Sequence, residues 1–352
     1  MSGKAFDIGD GIFWFFKRFG QNPAGALWIV LWQAVLGTAI ASLMFYLLLP
    51  ALSGFSETVM AVESGTMSDE EAGLLLLGGM LQMFAATSWG TLLVWIAALM
   101  FQGAWMRFLT GRPMAAVIPF RLGGDELRLL GVNLLYMAVT AIMYFGIVFA
   151  LVTLGVTGGG IIAASGDNTA AGAVGFGFAM FFGILALFAS VIFIAVKLSC
   201  APALSVHDGK FRFFESWEAT NGVFWNMLLS YFVVLLIAMA ASMILGTIVQ
   251  LVFLGAMLPM IQEFVALSES GVEPTLDQVI EIFRSTFVQP GVMVSLGIGV
   301  LLSYALQIVY EGMWHGVAAY NVTRYRDGST VDEGDAPVMG SDSPLGASPS
   351  EG

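Results

Sequence analysis

Charge is scarce in this chain: only 11% of its residues are Asp, Glu, Lys or Arg, against roughly 25% in an average soluble domain. So little charge cannot coat an ordinary water-facing surface. Cysteine is scarcer still. Cys200 stands alone, which excludes an intramolecular disulfide framework. The two histidines, His207 and His315, lie far apart in sequence and form no ligand-spaced cluster, so no metal or cofactor is expected. The net charge is −12 and no basic stripe exists, which argues against nucleic acid as a partner. A Gly-rich phosphate loop, a His-Glu-x-x-His helix, a Cys pair and a serine elbow are all missing. No enzymatic activity is expected.

What the chain has instead is apolar length. Hydrophobic residues make up 58% of it, and they gather into six charge-free runs: Phe19–Ser56, Ala72–Met106, Leu129–Gly166, Asn168–Val196, Ala219–Gln262 and Ser285–Tyr310. A transmembrane helix needs ~20 mostly apolar residues, and a charge at its centre costs roughly 2.5–3.5 kcal/mol on insertion scales. The expectation is an all-α polytopic membrane protein with spans near 25–49, 86–108, 128–155, 174–197, 224–254 and 292–315. Residues 1–24 form an amphipathic segment, 25–323 the six-span domain and 324–352 a disordered tail rich in Gly, Ser, Pro and acid. The first apolar run is longer than a signal-peptide core of ~7–15 residues, so the first span is expected to be retained.

Orientation follows from the basic residues. Lys4, Lys17 and Arg18 precede span one; Arg107, Arg112, Arg121 and Arg128 lie between two and three. Lys197, Lys210 and Arg212 lie between four and five, and Arg324 and Arg326 follow six. Only Arg284 sits on the other side. The positive-inside rule places the crowded side, with both termini, in the cytoplasm of a bacterial inner membrane.

The segments leading into spans one, three and five resemble one another. Phe13-Trp14-Phe15-Phe16-Lys17-Arg18-Phe19 precedes Asn22, Asp125-Glu126-Leu127-Arg128 precedes Asn133, and Phe211-Arg212-Phe213-Phe214-Glu215 precedes Asn226. Gly103-Ala104-Trp105-Met106-Arg107 also echoes Gly312-Met313-Trp314-His315-Gly316. Three parallel helical-hairpin repeats follow, each with an amphipathic cytoplasmic lead-in that anchors at headgroup depth or grips anionic lipid. Ser68-x-x-Glu71 has capping-box form and starts a helix outside the membrane, with Gly78-Gly79 and Ser88-Trp89-Gly90 as sites for a bend. Thr275-x-x-Gln278 opens a second outer helix, expected to cap the mouth of the bundle.

Polar residues inside lipid are functional candidates, because unpaired ones are costly. Gln33, Gln102, Asn133, Asn226 and Gln307 lie in or near the inner ends of the spans, with Lys197 and Glu311 beside them. Two arrangements fit. The amides hydrogen-bond across helices in separate contacts while Lys197 snorkels to the headgroups, or the set converges on a polar vestibule facing the cytoplasm. Glu311 with Lys197 is the favoured ion pair.

The lead-in ending at Asn22-Pro23 and the exit of span four carry a family resemblance. That exit reads Lys197-Leu198-Ser199-Cys200-Ala201-Pro202-Ala203-Leu204, then Glu215-Ser216-Trp217-Glu218-Ala219-Thr220-Asn221-Gly222. Over about residues 6–325 the chain resembles bacterial six-helix proteins related to the membrane domain of glycerophosphoryl diester phosphodiesterases. In that family the hydrolytic domain is a separate soluble barrel of ~250 residues. No segment here holds one, so the resemblance implies the membrane domain without the hydrolysis. Two functions stay open: a non-catalytic scaffold or accessory subunit, partnered by lipids and another membrane protein, or a transporter or lipid-handling permease built on the vestibule. The lack of deep intramembrane charge favours the first.

Overall fold

The computed structural model describes residues 5–63, 68–114, 118–120, 122–164, 169–269 and 276–327. Among them the chain forms ten helices and no strand. These are α1 (Ile8–Gln21), α2 (Pro23–Glu63), α3 (Asp69–Leu109), α4 (Gly124–Ala164), α5 (Thr169–Leu198), α6 (Ala201–His207), α7 (Glu215–Ala219), α8 (Phe224–Glu269), α9 (Leu276–Phe287) and α10 (Pro290–Asp327). Six of them, α2, α3, α4, α5, α8 and α10, are long and apolar enough to cross a membrane. The protein is an all-α polytopic membrane protein.

The long helices pair as three hairpins, α2 with α3, α4 with α5 and α8 with α10. Each hairpin begins and ends at the same end of the bundle, where α1 and the last turns of α10 also meet; we call it the basic end. The helices overrun the expected spans. At 41 residues, α2, α3 and α4 are each roughly 60 Å long, about twice the ~30 Å hydrocarbon core. Helix α3 shows no break at Gly78-Gly79 or at Ser88–Gly90, where a bend was allowed for: it runs unbroken from the capping box at Ser68 and Glu71. Its outer half is apolar helix on every side, so nothing there stops the hydrogen-bond ladder.

Burial is concentrated at the basic end. The most apolar window of each span is between 0% and 17% buried within the protein, so lipid rather than protein covers most of it. At the basic end, by contrast, α1 lays Ile12, Trp14 and Phe15 into a packed core. The Trp14 indole donates to the Leu109 carbonyl at 3.0 Å, and its ring sits 5.3 Å from that of Tyr320. Gly312 and Gly316 make this docking possible, since a Cβ on Gly312 would overlap the Phe15 ring and one on Gly316 would come within 3.3 Å of the Phe15 backbone nitrogen. Three turns close at glycines of positive φ: Gly111 (73°) after α3, Gly209 (62°) after α6 and Gly222 (77°) after α7, a conformation in which a Cβ is strained.

The lead-ins prove less alike than their sequences. The first is a helix of its own, α1. The second supplies the opening turn of α4, and the third is a short coil followed by the five-residue α7. Residues 324–327 are helical. Helix α10 continues to Asp327, because Arg326 pairs with Asp208 at 2.6 Å and Arg324 donates to Asn321 at 3.0 Å. Residues 328–352 and Thr275, the expected cap of the outer helix, lie outside the described residues. Helix α9 itself packs against α8 and α10.

Candidate functional site

A cavity of about 1070 Å³ opens between α2, α3, α4 and α10, so all three hairpins contribute to its wall. Each helix lines it over a matching length: residues 33 to 44 of α2, 94 to 105 of α3, 133 to 145 of α4 and 304 to 315 of α10. Twelve or thirteen residues of helix span roughly 16–18 Å from first to last, about half the ~30 Å hydrocarbon thickness. The cavity is thus about as long as one leaflet is deep.

Its polarity is graded along that length. The amide, carboxylate and imidazole members, Gln33, Gln102, Asn133, Glu311 and His315, lie toward the basic end, whereas Ile40, Met44, Val94, Tyr144, Phe145 and Tyr304 lie farthest from it. The polar groups are ordered by one another. The Trp105 indole donates to Gln33 Oε1 at 3.1 Å. An indole can only donate, so the Gln33 oxygen faces it and the amide nitrogen keeps two hydrogens for another partner. Asn133 Nδ2 donates to Gln102 Oε1 at 2.8 Å across α4 and α3. Gln307 Nε2 donates to Glu311 Oε1 at 2.9 Å along α10. Farther out, Tyr304 lines the cavity with its hydroxyl shielded and without a hydrogen-bond partner among the described residues.

Five of the seven candidates from sequence, Gln33, Gln102, Asn133, Gln307 and Glu311, therefore share one space; the first three hydrogen-bond across helices, and Gln307 and Glu311 pair along α10. Two do not join them. Asn226 donates to the Phe6 carbonyl at 3.3 Å, tying α8 to the start of the chain. Lys197 neither snorkels nor pairs with Glu311. It is buried, donates to Asn221 Oδ1 at 2.7 Å, and has the rings of Trp217, Phe224 and Phe193 within 5.4 to 5.9 Å of its ammonium. Three π-faces and an amide oxygen replace its water, and its place at the last turn of α5 adds the favourable helix dipole.

Sequence reasoning passed over Trp105, Tyr304 and His315. A signal for two of them was present: Tyr304, Gln307, Glu311 and His315 recur at helical spacing as one polar stripe on an otherwise apolar helix. It also read Arg107 only as a cytoplasmic basic residue at a hairpin end, and Asp125 and Glu126 only as part of the lead-in to span three. Arg107 is 2% exposed, donates to Glu126 at 2.7 Å, Asp125 at 3.3 Å and the Pro119 carbonyl at 3.1 Å, and so locks α3 to α4 beneath the cavity. Gly103 gives the Glu126 carboxylate room, since a Cβ there would stand 2.7 Å from it. Around the core, the Arg112 guanidinium holds the His207 carbonyl, and Asn321 donates to the Ala219 carbonyl at 2.9 Å.

No protein-family model matches the chain, no curated protein matches it, and no solved structure matches it. The site is read from its own chemistry.

Proposed function

We propose that this protein binds an amphiphilic molecule in the cavity between its hairpins and acts as a lipid-handling permease, without catalysis. The polar end of the occupant lies against Gln33, Gln102, Asn133, Gln307 and Glu311, and its apolar body runs outward along α2 and α4. The observation that carries this reading is the graded cavity, with its amides and carboxylate toward the basic end and mostly aliphatic and aromatic walls away from it, built from all three hairpins. An apolar wall with a few convergent polar groups is the usual form of a small-molecule site. Access from the bilayer is supported by Met137, Tyr144 and Phe145 of α4, which line the cavity and are between 52% and 70% exposed. We place the basic end in the cytoplasm of a bacterial inner membrane, on the strength of the basic-residue asymmetry.

The test is a cavity-filling variant. Gly37 lines the cavity, and a Cβ built there meets no atom within 4 Å. Gly37→Trp is expected to fold and to lose the amphiphiles that native mass spectrometry finds on the wild-type protein purified in mild detergent. Equal amounts of bound amphiphile on both proteins would leave the accessory-subunit reading standing in its place.

A further inference from the structure

Resting on that reading, we propose that the head group this cavity selects is a cation: an amine or quaternary ammonium on an apolar body. The cavity wall holds one carboxylate, Glu311, and no lysine or arginine among the described residues. An anionic head would meet repulsion from Glu311, with His315 the only side chain in the wall able to take a positive charge. A neutral head would leave the second Glu311 oxygen without a strong donor. An ammonium resolves both, because a carboxylate already steadied by Gln307 Nε2 at 2.9 Å still has Oε2 to offer.

The walls add a second argument. Phe101, Trp105 and Tyr136 line the basic-end half of the cavity, and an aromatic face attracts a cation within about 6 Å of its centroid. The protein already applies this chemistry to its own side chain: the Lys197 ammonium is held away from water by Trp217, Phe224 and Phe193. That internal cage and the cavity both combine aromatic faces with an oxygen acceptor. The cage is filled by the chain, and the cavity is open.

The polar stripe on α10 orders the occupant. Gln307 and Glu311 sit between His315 at the basic end and Tyr304 away from it. A head at Glu311 lies roughly one to two helical turns below the Tyr304 hydroxyl, given 1.5 Å per residue. The Tyr304 side chain thus lies beside the junction of head and apolar body.

The experiment uses the full-length protein in non-ionic detergent and single-chain hexadecyl amphiphiles that differ only in the head: primary ammonium, trimethylammonium, hydroxyl and carboxylate. Each competes against one fluorescent amphiphile. The ammonium heads are expected to bind about tenfold or more tightly than the alcohol, the scale of one charge-assisted hydrogen bond, and the carboxylate to bind weakest. Glu311→Gln is expected to bring the ammonium heads down to the level of the alcohol. The wild-type head series decides the matter even if that variant fails to fold. Equal binding of all four heads, or preference for the carboxylate, overturns the cation proposal and leaves an amphiphile site in place. No binding of any head, or binding that Gly37→Trp does not reduce, overturns the permease reading and this proposal with it.

Discussion

Arg107 and Glu311 are both charged side chains near the basic end of the bundle, and the protein holds them in opposite ways. Arg107 is walled in: two carboxylates and a carbonyl satisfy it, and α3, α4 and the chain before α4 close around it. Glu311 has one amide neighbour and otherwise faces a large cavity. A buried ion pair of the first kind contributes little net stability over an apolar pair, yet breaking it is severe, because the orphaned partner has no water to turn to. A half-satisfied carboxylate of the second kind adds little to folding, since the fold does not depend on its second oxygen. The difference separates what holds the hairpins together from what is left free to bind.

The contrast predicts its largest effect at Arg107. Arg107→Leu is expected to lower stability by about 3–5 kcal/mol, as Glu126 is stranded in a dry site. Thermal unfolding in detergent would show it. Arg107→Leu combined with Glu126→Leu is expected to recover much of the loss, because both charges are then gone. If the double variant is no better than the single, the pair is not the reason Arg107 matters.

Next in size is the docking of α1. Gly312→Ala is expected to cost about 1–3 kcal/mol by overpacking against Phe15, and to raise hydrogen exchange throughout Ile8–Gln21. Unchanged exchange in that helix would show that α1 does not rest on α10. Lys197→Met should fall slightly lower, about 1–2 kcal/mol, from the lost cation–π contacts and the unpaired Asn221 oxygen.

How far these features can be read from the chain depends on whether their cause is local. The six spans are legible because excluding charge is a property of each segment alone, and the capping box at Ser68 and Glu71 is legible because both partners lie within one turn. The convergence of Gln33, Gln102, Asn133, Gln307 and Glu311 is half legible. An amide in lipid requires a partner, but the identity of the partner depends on which hairpins adjoin. The sealing of Arg107 and the caging of Lys197 are not legible, since each needs groups from a second element: Glu126 on α4, and Trp217 and Phe224 beyond α6. For the same reason the Glu311–Lys197 pair failed. Similar depth does not bring two helices together, and α5 turns its lysine toward α7 and α8.

A smaller effect belongs to the exposed pair between α6 and α7. Arg212 donates to Glu215 at 2.6 Å, and this hydrogen bond holds the Glu215 carboxyl below its ordinary range. A lowered folded-state value means that the pair stabilises the protein above the unfolded carboxyl range, and that this is lost as pH falls through the folded value. The pair is solvent-exposed, so the effect is slight. Arg212→Gln should therefore flatten the acid side of the stability profile only a little. A large shift would mean that the pair braces the basic end.

The smallest expected effect on stability is at Glu311. Glu311→Gln keeps the size of the side chain and a carbonyl oxygen to accept from Gln307 Nε2, so the bond at 2.9 Å has a replacement of the same shape. No cation of the protein loses a partner, because Lys197 is satisfied by Asn221 and its cage. The melting profile should stay within the change of about 0.5 kcal/mol usual for substitutions away from packed features. Set beside Arg107→Leu, this is the sharpest form of the comparison: two charge-removing changes near one end of the bundle, one severe and one nearly silent. If Glu311→Gln instead unfolds the protein as Arg107→Leu does, Glu311 is part of the lock between hairpins, and the cavity has no charge to spare for a ligand.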